Sequence, residues 1–266
     1  MKANRKYVIL LTACVNPGGM PFTTLVDTSE RLRQYREALN FYLCQTSLPV
    51  VFCENTLCDF SEDYRNYINE GRLEYITFDG NGFDRCRGKG YGEALIMGEA
   101  FGRSRLLAAC DFVVKITGRL TVRNIGALVR DNGRMMTPTI QTFYPNNRMI
   151  DSRVFIAPKS FVTDNFLSRK EQISDSEDIF FEHILFESLV SRCSFVYVPF
   201  LKVPLIEGVS GSTGNQYTPK TANNNRFAFD MLGNALKMDK AMCSYRMPVV
   251  LRALFFLSRC FLYLRK

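Results

Sequence analysis

Four short apolar segments rich in β-branched and aromatic residues punctuate the first half of the chain: Tyr7–Val15, Pro49–Cys53, Leu73–Phe78 and Asp111–Ile116. Each stops at a polar or glycine-bearing stretch, and the segments between them carry helical spacing. Thr28–Cys44 puts Leu32, Tyr35, Leu39 and Tyr42 on one face, with Thr28 or Ser29 as cap. A short helix is expected over Asp63–Asn69. A longer one runs from Tyr91 to about Ala108, opened by the glycine-rich loop Asp79–Gly90. Alternating strands and helices build a layered α/β fold around a mostly parallel central sheet. Such sheets bind ligands beyond the carboxyl ends of their strands. The polar residues there are Thr12 and Asn16, Glu54 and Asn55, Asp79 and Gly80, and Lys115 and Arg119, expected along one rim.

The second half is less regular. Arg153–Ala157 and Phe195–Phe200 read as strands, Glu177–Arg192 as a helix, and Pro204–Tyr217 as a polar loop. With no linker-like break, residues 1–224 are expected to form one domain, followed by a helical tail over 225–266. Aromatic content of 13% and the lack of low-complexity stretches exclude disorder as the main state. A single histidine, His183, excludes sites built on histidine pairs.

The net charge of +8 is unevenly spread. Lys237–Lys266 holds seven basic residues (Lys237, Lys240, Arg246, Arg252, Arg259, Arg265 and Lys266) against one acid, Asp239, so the first 236 residues are nearly neutral. A nucleic-acid groove needs its own basic stripe, which argues against that partner. Met247–Leu264 is strongly apolar but broken by Arg252 and Arg259, which fall on nearly the same side of a helix. Two arginines at mid-span disfavour a transmembrane helix. A helix lying on an anionic membrane surface fits the pattern, and a core-packing helix with exposed arginines is the alternative. Met1–Lys6 followed by Tyr7–Val15 imitates a signal peptide, yet Tyr7–Leu11 is too short for its apolar part and reads better as a first strand. Nine cysteines, with no C-x-x-C pair, point to a reducing cytoplasm. Cys14, Cys44, Cys53, Cys110, Cys193 and Cys260 sit in apolar runs and are expected to behave as small hydrophobes.

Three stretches carry candidate chemistry. Arg87–Glu93 (Arg-Gly-Lys-Gly-Tyr-Gly-Glu) is a glycine-rich turn into a helix, where backbone amides and Lys89 suit an anion; it is neither a Walker A loop nor a dinucleotide fingerprint. A plain helix entry, with Glu93 as a first-turn carboxylate, explains it equally. Lys115-Ile-Thr-Gly-Arg119 ends a buried strand, where cations are costly unless they meet an anionic ligand or acids such as Glu54 or Asp111. Ser174–Asp178 precedes an apolar helix and reads either as a cap or as a carboxylate at a pocket edge. The loop Glu207–Gly214, with Ser210 and Ser212, is a lid or a surface loop.

In this order, Glu54-Asn55, Lys89–Glu93 and Asp111–Arg119 resemble the bacterial surface-polysaccharide glycosyltransferases of the GT-A type, found in capsule and O-antigen clusters. The resemblance implies a GT-A-like (Rossmann-like) fold and a hexosyltransferase-like enzyme, with inversion favoured over retention. It implies a nucleotide-sugar donor held by Thr12, Asn16, Glu54, Asn55, Asp79, Lys89, Gly90, Glu93, Lys115, Thr117, Gly118 and Arg119. Glu207, Ser210 and Ser212 would serve the acceptor side, a lipid-linked or oligosaccharide glycan at the inner face of the cytoplasmic membrane. Asp178, with Glu177 next, is the expected base. Where that family carries a metal-holding Asp-x-Asp, this chain reads Lys115-Ile-Thr-Gly-Arg119, so no metal is expected to be required, with manganese or magnesium use left open. A nucleotidyltransferase and a non-catalytic scaffold of the same fold are the rival readings.

Overall fold

The structure, a computed structural model, describes residues 5–142, 149–190 and 195–219 together with Phe227. The first half comprises β1 (Tyr7–Ala13), α1 (Thr28–Gln45), β2 (Val50–Glu54), α2 (Arg65–Asn69), β3 (Leu73–Thr77), α3 (Gly88–Arg103), α4 (Arg105–Ala109) and β4 (Phe112–Thr117). The second half adds β5 (Thr121–Val122), α5 (Ile125–Gly133), β6 (Thr139–Thr142), β7 (Val154–Pro158), α6 (Phe181–Val190), β8 (Val196–Tyr197), β9 (Ile206–Val209) and β10 (Gln216–Tyr217). One sheet has the order β3-β2-β1-β4-β7-β6-β8, and a small second sheet has the order β10-β9-β5.

The four apolar runs form the parallel half of the large sheet, β3, β2, β1 and β4. β7 then runs antiparallel to β4 and β6. The expected α/β class with a largely parallel central sheet is therefore the observed one. Side chains alternate across it. Val8, Leu10, Val51 and Val113 pack towards α3 and α6, while Ile9, Leu11, Phe52 and Val114 pack towards α1 and α5. Each fully buried side chain of this size contributes about 1.5–3 kcal/mol, so both faces are strongly held.

Local details differ from expectation for physical reasons. α1 is capped by Asp27, whose carboxylate accepts from Ser29 N at 2.8 Å and Glu30 N at 3.0 Å, rather than by Thr28 or Ser29. α3 begins at Gly88, inside the stretch expected to be a loop. Its glycines serve close packing: a Cβ at Gly90 would stand 3.1 Å from Phe181 Cβ, and one at Gly92 would stand 2.8 Å from Phe83 Cζ. Ser104 ends α3 and caps α4 by accepting from Leu107 N at 3.0 Å, dividing the long helix expected there. The helix expected from Glu177 starts at Phe181, because Asp178 adopts a left-handed backbone (φ 56). The Pro204–Tyr217 loop contains the β9–β10 hairpin, and β5, α5 and β6 were not anticipated.

The six described cysteines are free, with Cys53 and Cys110 buried, Cys14 half-buried and Cys44 exposed against expectation. The tail over 225–266 and Cys193 and Cys260 lie outside the described residues, Phe227 excepted. Among the described residues no helix is long and apolar enough to cross a membrane.

The ends of β1 and β4 meet very closely. Gly118 N donates to Thr12 O at 2.9 Å, and a Cβ on Gly118 would lie 2.6 Å from that same oxygen. Gly118→Ala should therefore destabilise the fold by about 1–3 kcal/mol, read as a lowered urea midpoint. An unchanged midpoint would show that the two strand ends can separate at no cost.

Candidate functional site

A cavity of about 560 Å³ opens beyond the carboxyl ends of the parallel strands, where the chemistry of such a sheet is expected. Thr12, Asn55, Lys89, Gly90, Glu93, Thr117, Arg119, Ser210 and Ser212 of the expected residues line it. Asn16, Glu54, Asp79, Lys115, Gly118, Glu207, Glu177 and Asp178 do not.

Glu54 has no exposed surface and is consumed by the framework. Its carboxylate accepts from Val15 N at 3.0 Å, Thr56 N at 2.8 Å, Cys58 N at 3.0 Å and Thr77 Oγ1 at 3.1 Å, as well as from Thr56 Oγ1. It ties the loops after β1 and β2 to β3. Gly118 is likewise a packing residue. Glu207 pairs with Arg123 on the small sheet, and Asn16 and Asp79 are exposed on neighbouring loops.

Lys115 is also fully buried, and its partner is neither Glu54 nor Asp111. Its ammonium lies 2.6 Å from Glu93 Oε1 and donates to Ser152 O at 2.7 Å. Thr12 Oγ1 donates to the same Glu93 oxygen at 2.7 Å. An intramolecular ion pair thus takes the place of the diphosphate contact expected of Lys115.

The buried cations that remain for a ligand are arginines. Arg31 and Arg119 are 5% and 7% exposed, line the cavity, and have no carboxylate within ion-pair distance among the described residues. Arg31 donates to the backbone oxygens of Cys14 and Val15 (Nε, 2.9 and 3.1 Å) and of Leu25 (3.0 Å). Arg119 donates to Gln34 Oε1 at 3.0 Å and Val209 O at 3.1 Å, while its Nε has no partner among the described residues. Asn55 Oδ1 is a second buried atom without a partner among them. Arg31 was missed in the sequence, although a cation one turn before Tyr35 on the buried face of α1 was a readable signal.

The acids of the cavity are Glu93, Asp151, Asp175 and Glu182. Asp151 is engaged by Arg153, whose Nε donates to Oδ2 at 2.9 Å. Asp175 lies against the start of α3, where Gly88 (φ 76) lacks the Cβ that would overlap its carboxylate. The glycine turn expected to cradle a ligand anion therefore holds the chain's own acid. Burial pushes the Asp175 carboxyl above its ordinary value despite Lys89. Burial raises Glu182 in the same way, against the opposing hydrogen bond from Ser152. Asp178 and Glu177, expected as the base, are exposed, because the left-handed turn at Asp178 precedes α6 outside the cavity. Ser174 caps no helix through its side chain.

Two loops meet over the cavity. Thr24 N and Leu25 N donate to Gly211 O at 2.9 and 3.4 Å, and Thr24 Oγ1 donates to Ser212 O at 2.7 Å. The Lys89 ammonium bonds to both, reaching Phe22 O at 3.4 Å and the Ser212 hydroxyl. Phe22, largely exposed, is held there with a left-handed backbone (φ 55), a costly conformation for an aromatic residue.

No protein-family model matches the chain, and no curated protein matches it in sequence. Solved structures of similar shape include the galactosyltransferase LgtC in complex with donor and acceptor sugar analogs, at 11% identity and TM-score 0.42, covering 73% of this chain and 74% of that one. The inositol-1-phosphate CTP transferase from T. maritima is 13% identical at TM-score 0.42, covering 75% of this chain and 86% of its own. Core-mannan synthase A from Aspergillus fumigatus, in its Mn/GDP form, is 8% identical at TM-score 0.43, covering 92% and 87%. Likenesses this distant speak for neither an activity nor a substrate.

Because the folded state disfavours ionised Asp175, the stability held below its ordinary value of 3.8 is lost as pH rises through the raised folded value. Asp175→Asn removes that loss. The variant's unfolding free energy relative to the parent should therefore climb from about pH 4 upward in urea melts. A difference that stays flat with pH would show that Asp175 ionises without penalty.

Proposed function

We propose that the cavity binds a nucleoside diphosphate sugar and that the protein is a glycosyltransferase acting on a glycan hydroxyl. The observation that carries this reading is the pair Arg31 and Arg119, buried in the cavity wall without a carboxylate partner among the described residues. A buried charge lacking a counter-ion costs several kcal/mol, and a diphosphate supplies two strong acceptors for such guanidiniums. The unpartnered Arg119 Nε and Asn55 Oδ1 add one donor and one acceptor for the same ligand. The exposed Lys89 at the mouth, bonded only to neutral oxygens, supplies a further charge.

The reaction is a single displacement. A carboxylate takes the proton of the acceptor hydroxyl, and that oxygen attacks the anomeric carbon. The bond to the nucleoside diphosphate breaks with its electrons on the departing phosphate oxygen, where the arginines stabilise the charge. Asp175 is the base of this reading, since it lines the cavity and its raised pKa brings it closer to the operating range. The end of β4 does not fit a divalent metal: Lys115 and Arg119 are cations, and no group of three or more His, Cys, Asp or Glu among the described residues is placed to hold one. A lipid-linked or oligosaccharide acceptor in surface-polysaccharide synthesis, met at the inner membrane face, completes the reading and rests on the basic, apolar sequence of 237–266.

A thermal-shift panel of nucleoside diphosphates and their sugars, with EDTA and manganese arms, tests it. One sugar nucleotide should raise the midpoint equally in both arms. Arg119→Gln should weaken its binding about tenfold to a hundredfold, the worth of one charge-assisted hydrogen bond. A shift that needs manganese would restore a metal site, and a triphosphate that releases pyrophosphate would favour a nucleotidyltransferase. No shift with any nucleotide would leave a scaffold.

A further inference from the structure

We infer that Glu93 reads a hydroxyl of the transferred sugar and that Lys115 is the positioning residue that aims it; the inference rests on the nucleotide-sugar reading above. Glu93 spends one oxygen on the framework, where Oε1 meets Lys115 at 2.6 Å and Thr12 at 2.7 Å. Its other oxygen has no partner among the described residues, and the side chain, 21% exposed, lines the cavity. A carboxylate paired to a lysine only accepts hydrogen bonds, so its free oxygen selects a donor.

The distribution of charge says which part of the ligand lies there. The arginines without a carboxylate partner among the described residues come from α1 and the turn after β4, whereas Glu93, Asp175 and Glu182 come from α3, the segment before α6 and α6. α1 and the turn after β4 therefore bring only cations to the cavity, whereas α3, α6 and the segment before α6 bring three acids together with Lys89. A nucleoside diphosphate sugar matches that polarity, with its phosphates at the arginines and its hydroxyl-bearing ring at the acids.

Lys115 makes the placement rigid. With no exposed surface it also holds Ser152 O at 2.7 Å, and the Ser152 hydroxyl bonds to Glu182. The network joins β1, α3, β4 and α6, so Glu93 cannot rotate away without stranding a buried ammonium.

The test compares calorimetric binding of two probes: the uridine, guanosine or cytidine diphosphate sugar selected by the panel above, and its nucleoside diphosphate. Donors lacking single sugar hydroxyls form a third set. Glu93→Gln should leave the nucleoside diphosphate within about twofold and weaken the sugar nucleotide about tenfold. One deoxy donor, bound about tenfold more weakly by the parent protein, should bind the variant no worse than the full donor does. If Glu93→Gln folds poorly because Lys115 loses its partner, Glu93→Gln with Lys115→Met removes the pair together and should show the same selectivity. Lys115→Met alone should blunt the deoxy-donor discrimination although the carboxylate is kept. Equal weakening of both probes, or a parent protein indifferent to every deoxy donor, overturns the inference and leaves the nucleotide-sugar reading standing. A parent protein that binds neither probe overturns both.

Discussion

A lysine with no exposed surface sits at the end of the central strand β4, and the dehydration of its ammonium organises what surrounds it. Such a charge is tolerated only beside an opposite charge with its remaining protons satisfied. Glu93 provides the charge, and Ser152 O takes another proton. The Phe181 ring lies 5.4 Å from the ammonium. Through these contacts one side chain sets the separation of the sheet from α3 and α6, and so the depth of the cavity between them. Removing Lys115 or Glu93 alone strands the other, which is why this pair behaves as one structural unit.

A second constraint acts on the opposite wall. Arg31 and Arg119 both approach the Tyr35 ring, at 6.0 and 5.9 Å, and both spend their donors on neutral oxygens. Neutral acceptors align a guanidinium without discharging it. The start of α3, by contrast, already packs against the chain's own Asp175. The cavity therefore presents positive charge from side chains rather than from a helix end, and that charge sits where the loops after β1 and β4 converge.

The parallel strands were legible because strands covered on both faces are written as continuous apolar runs. β5, β6, β9 and β10 were not, since segments of two to four residues such as Thr121–Val122 and Ile206–Val209 are too short to show a period. Gly88 and Gly90 were read as loop on propensity, but tertiary packing against Asp175 and Phe181 overrides it. The rim of the sheet was legible, and with it Arg119 and Asn55 at the cavity. The partner of Lys115 was not, because Glu93 reaches it from a different element and nothing local marks the pair. Asp175 was likewise indistinguishable from Glu177 and Asp178 until the left-handed turn separated them.

The joint over the cavity has one further property. The segment carrying Thr24 and Leu25 meets the turn at Gly211 through main-chain nitrogen and oxygen atoms. The main-chain part of that joint does not depend on the side chains it carries, unlike the added bonds of Thr24 Oγ1 and Lys89. Mutational drift along either loop can thus vary what is displayed to an incoming molecule while the span itself persists. The fold thus separates a span closed by the main chain from the side chains displayed on it.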